Sequence, residues 1–270
     1  MTQVMKTTAM KDKILCICPL YNKIQFLPYS IGSVLNQEGV NVTMVIIDDC
    51  STDGSYEWVQ EKVGHYPNVH ILKNEENVGC YQSRNRGLKY AIDNNIEFDY
   101  YTVTDPDDQQ KDGRFNLLVN VFNEVPAAMV IKQPYIRYNI DTGESVEKHD
   151  AGEGAAMFKR EVFDILGYWD NTMRFSGDTE YIVRLMNYYR HQNLQWGDYI
   201  GAMKDILLYA LTDNTGSNLT SLFPGSSPER KATWVYIDEY SSHCKVEDTY
   251  YGYNNTGHAY SGMGIVEVRN

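Results

Sequence analysis

The chain has 270 residues, 43% hydrophobic and 22% charged, and its 24 Lys and Arg against 36 Asp and Glu leave a formal charge of −12. That composition excludes a disordered chain and suits one large α/β domain with an appendage, or two small domains. The acidic surplus argues against a nucleic-acid partner, which needs Lys and Arg concentrated on one face.

Met1 to Lys13 carries three lysines but no apolar signal-like core. No later segment approaches the ~20 apolar residues of an integral membrane segment. The expectation is a cytoplasmic protein, with peripheral membrane association left open. Cys16, Cys18, Cys50, Cys80 and Cys244 match neither a zinc site nor a disulfide framework, and read as reduced thiols. Asn-x-Thr sequons at Asn41, Asn218 and Asn254 read as chance in a chain without a secretory signal.

Lys13 to Cys18 is a short apolar run ending at Pro19, the pattern of a buried strand. Ile24, Leu27, Ile31, Val34 and Leu35 then recur at spacings of three and four, predicting a helix that ends near Gly39. A strand over Val42 to Ile47 runs into the acidic turn Asp48 to Gly54. A helix follows over Ser55 to Val63, a strand at Val69 to Leu72, a helix from Cys80 to Ile92 and a strand from Phe98 to Val103. Strands alternating with helices build βαβ units and a mostly parallel sheet, whose ligands bind beyond the strand carboxyl ends.

After a helix over Phe115 to Phe122, the apolar stretch Ala127 to Ile136 precedes a polar segment, Asp141 to Asp150, that reads as a loop. Gly154 to Phe158 begins a second unit. A helix over Lys159 to Leu166 follows, then one opened by Ser176-Gly177-Asp178-Thr179-Glu180, and a strand over Ile206 to Leu211. From about Pro224 the periodicity fades into Gly, Ser, Tyr and Asn. The expected organisation is an amino-terminal extension (1–12), one α/β domain (13–222, divided into 13–125 and 126–222) and an irregular carboxyl-terminal tail (223–270).

Three strands end in polar clusters, and the last holds Asp105, Asp107 and Asp108 within four positions. Carboxylates so close repel unless a cation neutralises them. Oxygen ligands that leave coordination positions open suit Mg²⁺ or Mn²⁺ shared with a diphosphate. Asp-Pro-Asp-Asp alone favours a solvated turn with a helix N-terminal charge bias.

The ordered series decides between them. Pro19-x-Tyr21-Asn22, Asp48-Asp49-x-Ser51-x-Asp53-Gly54, Asn77-x-Gly79 with Ser83-Arg84-Asn85-x-Gly87, Thr104-Asp105-x-Asp107-Asp108 and Gly177-Asp178-x-Glu180 together resemble glycosyltransferase family 2, with its GT-A fold. The resemblance covers about Ile14 to Thr220. It implies a Rossmann-like, mostly parallel sheet flanked by helices, with a nucleotide-sugar half, a smaller acceptor half and an irregular tail.

It also implies roles. Pro19, Tyr21 and Asn22 would line the nucleotide-sugar site, and Asp49 would accept from the uracil imide, favouring a UDP-sugar. Arg84 would counter diphosphate charge, or else pair with a sheet-edge aspartate. Asp107 would hold the metal and Asp105 the ribose or a metal-bound water. Cys50 replaces the family's usual glycine, which suggests a differently shaped turn.

Asp178 would be the base that takes the acceptor proton, although Ser176 and Asp178 are also plausible caps of the helix they open. Glu180, in the same motif, and Trp169 are the candidate acceptor contacts. No histidine follows the last core strand where the family often has one, so Asp213 or Asn214 would have to serve there as oxygen ligands. His191, at a helix end, reads as a dipole partner rather than a catalyst.

The resemblance thus implies a metal-dependent, inverting transfer of a hexosyl or N-acetylhexosaminyl group to a glycan or glycoconjugate hydroxyl, as in surface polysaccharide assembly. The rival reading is a non-catalytic sugar-nucleotide or glycan binding module on the same fold. A nucleotidyltransferase ranks lower, because no glycine-rich triphosphate loop follows the first strand.

Overall fold

A computed structural model of the chain describes residues 11–174, 176–190 and 192–214, with two short strands at 245–246 and 265–266. Residues 1–10 of the expected extension, His191, Thr215 to Thr220, Cys244 and the rest of the tail lie outside the described residues.

Strands β1 (Lys13–Leu20), β2 (Asn41–Asp48), β3 (Val69–Lys73) and β4 (Tyr100–Val103) are parallel, in the spatial order β3-β2-β1-β4. Helices α1 (Leu27–Leu35), α2 (Ser55–Lys62) and α3 (Cys80–Asp93) make the crossovers. Strand alternation sorts the core. Leu15, Ile17, Val45 and Ile47 face α3, whereas Ile14, Cys16, Cys18, Met44 and Ile46 face α1 and α2. With both faces covered, the central strands read as continuous apolar runs. Gly87 allows α3 to lie close, since a Cβ there would meet Ile47 at 2.6 Å and Ile17 at 2.9 Å.

β1 continues through Pro19 to Leu20, beyond the expected stop at the proline. Ile17 O accepts from Thr104 N on the β4 side and Leu20 O from Asp49 N on the β2 side. By alternation the Pro19 nitrogen faces the β4 side, where pairing has already ended at Val103, so its missing N–H breaks no ladder bond.

Beyond β4 come β5 (Asp108–Gln110), α4 (Arg114–Glu124), β6 (Val130–Asn139), β7 (Glu144–Lys159), α5 (Arg160–Leu166), α6 (Gly177–Arg190), α7 (Trp196–Tyr199), β8 (Ile200–Ala202) and β9 (Leu208–Thr212). β7 pairs antiparallel with β4 and β6, and the sheet ends in the order β6-β9-β5, with β8 beside β6. The two expected halves therefore share one sheet. The tail strands β10 (Lys245–Val246) and β11 (Ile265–Val266) pair with each other.

Two expectations fail locally. The loop expected over Asp141 to Asp150 is largely strand: residues 141–143 turn the chain and β7 starts at Glu144. Asn139 Oδ1 accepts from Asp141 N and Thr142 N, and Gly143 takes φ 73°, so the chain reverses into a hairpin. Its exposed strand needs no apolar face, which is why the polar sequence concealed it. Ile24 is not part of the α1 stripe; it precedes the helix and is exposed, with its N–H given to Asp53 Oδ2 at 3.0 Å. Among the described residues no helix is long and apolar enough to cross a membrane.

Candidate active site

The carboxyl ends of β1, β2 and β4 bring three loops together. The loop after β1 is fastened to the acidic turn after β2. Asn22 N bonds Ser51 Oγ at 3.1 Å, Thr52 N bonds Asn22 Oδ1 at 2.8 Å and Lys23 N bonds Ser55 Oγ at 3.0 Å. Asn22 and Cys50 both take positive φ, 49° and 66°. Cys50 thus keeps the left-handed turn that glycine favours, correcting the expectation of a different shape.

Asp49 is buried. Its Oδ1 accepts from Asn74 Nδ2 at 2.7 Å and Val78 N at 2.9 Å, and its Oδ2 accepts from Gly79 N at 2.9 Å. The carboxylate closes the turn that starts α3. Of the roughly four lone-pair sites of a carboxylate, three are engaged, leaving about one for a nucleobase donor. Pro19 is buried in β1, so it does not offer a free face to a base, whereas Tyr21 is exposed.

The three aspartates after β4 separate because β5 begins among them. Asp108 turns inward, with its Oδ2 accepting from Asp105 N at 3.2 Å. Burial, with Asp105 and Asp107 nearby, pushes the Asp108 carboxyl well above its ordinary value. Behind it the buried Arg114 donates to Gln110 Oε1 and Ala155 O, both at 2.6 Å, and burial lowers its guanidinium to about 10. Asp105 and Asp107 remain outside this layer.

Asp107 Oδ2 pairs with Lys23 Nζ at 2.8 Å. Lys23 escaped the sequence reading although it directly follows Asn22 and is the cation nearest the acidic edge in that loop. Among the described residues no group of three or more His, Cys, Asp or Glu is placed to hold a metal ion. What is present is one carboxylate already balanced by an ammonium, with the more exposed Asp105, paired on one oxygen with Arg84, two positions before it. That donor set fits a Mg²⁺ or Mn²⁺ ion that takes its other ligands from diphosphate and water, not a closed protein cage.

Arg84 projects from α3 and is 2% exposed. Its guanidinium bonds Asp105 Oδ1 at 3.1 Å and pairs through its other terminal nitrogen with Asp178 Oδ1. The residue-level alternative, a sheet-edge aspartate as partner, is therefore what forms. The buried head is a clamp between two carboxylates, not an open diphosphate ligand. These two carboxylates raise the Arg84 guanidinium well above its ordinary value, overcoming the opposing effect of burial.

Asp178 begins the second residue of α6. Tyr81 OH donates to Asp178 Oδ2 at 3.4 Å and accepts from Gly177 N at 2.8 Å. Gly177 is required there, since a Cβ would meet the Tyr81 ring at 2.7 Å. The first helical bond of α6 runs from Glu180 N to Ser176 O at 2.9 Å, with Ser176 at φ 56°. Tyr81 reads in sequence only as part of an apolar face.

Both acceptor-contact expectations are corrected. Trp169 is 1% exposed, stacked on Tyr181 at 4.8 Å between ring centroids, and its backbone exchanges two hydrogen bonds with Asn85. Glu180 is buried against Arg184, which grips it through Nε at 2.6 Å and a second nitrogen at 3.0 Å while also bonding Leu166 O and Tyr168 O. Both residues build the core under α5 and α6. Asn214 bonds the β6–β7 turn through Asn139 and Asp141, whereas Asp213 is held by Gln25, two positions after Lys23.

Comparison with known proteins agrees with this fold. Residues 16–177 match the family model described as glycosyl transferase family 2. The minor teichoic acid biosynthesis protein GgaB of Bacillus subtilis is 34% identical over 110 residues, 40% of this chain and 12% of that protein. The putative teichuronic acid biosynthesis glycosyltransferase TuaG of the same organism is 33% identical over 104 residues, 38% of this chain and 39% of that protein. The matches thus span less than half the length of these relatives.

S. aureus TarS residues 1–349, solved in complex with UDP, superposes with a TM-score of 0.58 at 18% identity over 83% of this chain and 64% of that one. The mannosyltransferase PcManGT of Pyrobaculum calidifontis, solved with GDP-Man and Mn²⁺, gives 0.58 at 14% identity over 86% and 72%. The sheet order, the convergence of strand ends and the family match agree: the chain belongs to glycosyltransferase family 2 and has the GT-A fold.

Proposed function

We propose that this protein is a metal-dependent, inverting glycosyltransferase that moves a hexosyl or N-acetylhexosaminyl group from a UDP-sugar to a hydroxyl of a glycan or glycoconjugate. The observation that carries the reading is the Arg84 clamp, which sets Asp105, at the donor-side strand end, and Asp178, on the acceptor-side helix, on either side of one guanidinium. Solved neighbours bound to UDP, UDP-GlcNAc or GDP-Man support a nucleotide-sugar donor, and the names of the teichoic and teichuronic acid relatives support a surface-polymer acceptor.

Asp178, held by Arg84 and Tyr81, accepts the acceptor hydroxyl proton as the oxygen attacks the sugar C1. The new C1–O bond forms as the bond from C1 to the diphosphate oxygen breaks, and the electron pair leaves with the nucleoside diphosphate. One in-line displacement inverts the anomeric centre. Tyr21 and Asn22 border the nucleotide, and the last lone pair of Asp49 is the one available to a uracil imide. A divalent cation held by Asp107, with Asp105 nearby, would neutralise charge on the departing diphosphate.

The test is nucleotide release from UDP-sugars and GDP-mannose with Mn²⁺, followed by NMR of the product's anomeric proton. The expected result is turnover of a UDP-sugar and a β-linked product from an α-linked donor. Nucleotide binding without turnover across broad acceptor pools would support the binding-module reading, and an α product would overturn inversion.

A further inference from the structure

The Lys23–Asp107 pair is a built feature. Both side chains are more than four-fifths buried, at 15% and 18% exposure, and their charged atoms are 2.8 Å apart. The lysine backbone is fixed by Ser55 Oγ, and its neighbours are fixed on either side: Asn22 by Ser51, Ile24 by Asp53 and Gln25 by Asp213. The ammonium also lies 5.3 Å from the Phe26 ring centroid. Four methylene groups still separate the head from this rigid backbone, so Nζ can move while the loop stays.

We propose that Lys23 is an internal counter-cation for Asp107 that yields to the metal and then pairs with the diphosphate, making metal and nucleotide binding mutually dependent. This rests on the reading of Asp107 as the metal carboxylate. Without nucleotide, a divalent ion must displace an ammonium from a sheltered carboxylate and leave that ammonium unpaired beside a dication, which disfavours metal binding alone. A nucleoside diphosphate removes the conflict by giving the displaced ammonium anionic oxygens to pair with. The metal therefore raises nucleotide affinity, and the nucleotide raises metal affinity by the same factor.

The test titrates Mn²⁺ by electron paramagnetic resonance and UDP or GDP by calorimetry, each with and without the other ligand. It uses the wild-type protein and Lys23→Met, Lys23→Arg and Asp107→Asn, all checked for folding by circular dichroism. The expected result is that Lys23→Met binds Mn²⁺ alone about tenfold more tightly than wild type and loses about tenfold of the metal–nucleotide coupling. Lys23→Arg should keep the coupling. Equal Mn²⁺ affinity and coupling in wild type and Lys23→Met would overturn the inference while leaving Asp107 as a ligand, provided Asp107→Asn loses Mn²⁺. No Mn²⁺ binding by wild type with either nucleotide would overturn the Asp107 reading itself and the inference with it.

Discussion

Arg84 and Asp178 are 94 positions apart in the chain and meet as an ion pair in which the arginine is almost wholly buried. The same guanidinium bonds Asp105, so one planar fork spaces two carboxylates that belong to different ends of the proposed reaction. Lysine, a point charge, cannot hold both. Arg84→Lys should therefore fold yet lose on the order of 100-fold in kcat through misplacement of Asp178. Arg84→Ala should cost about 2 kcal/mol in urea unfolding, less than a fully buried pair would, because Asp105 and Asp178 keep some solvent.

Asp178→Asn and Asp107→Asn should separate the two roles. Losing the base lowers kcat by about 10² to 10⁴ while UDP binding, read by calorimetry, persists. Losing the metal carboxylate should abolish measurable nucleotide release and Mn²⁺ dependence without unfolding the protein. An active, metal-independent Asp107→Asn enzyme would contradict that assignment.

Trp169 should behave as a core residue. Trp169→Ala removes a ring stacked on Tyr181 and edge-on to Tyr101 and should destabilise the fold by about 3–5 kcal/mol in denaturant unfolding. Trp169→Phe should retain much of that stability and leave acceptor KM unchanged. A raised KM at unchanged stability would restore the acceptor role.

Asp108 predicts a pH dependence. Its folded carboxyl is raised above the ordinary 3.8 by burial and by Asp105 and Asp107. Between those two values the folded state holds more proton than the unfolded one, so stability falls as pH rises through that window. Asp108→Asn keeps an acceptor for Asp105 N and removes the charge. In metal-free protein, melting temperature measured against pH should fall less steeply above pH 4 in the variant than in wild type.

Much of the site was legible because it lies where chain order dictates. Strands read from apolar runs and helices from their stripes put Asn22, Asp49 and Asp105 at neighbouring carboxyl ends, since parallel strands joined by crossovers present those ends together. The β6–β7 hairpin was not legible, because residues 144–148 of β7 are exposed on both faces and so carry no apolar alternation. Trp169 and Glu180 misled for a related reason: aromatic and acidic residues beside a catalytic motif suit a ligand surface, and only packing shows that Tyr181 and Arg184 cover them.

By itself the sequence determined the family, the alternation of β1 to β4 with their helices and the identity of the aspartates, because these follow from local periodicity and ordered motifs. Tertiary structure alone decided their partners. It turned Asp108 inward, set Lys23 on Asp107 and drew Arg84 between Asp105 and Asp178. Such pairings join residues distant in the chain, and a charge takes whichever partner the packed backbone brings within a few ångströms, which no local pattern records.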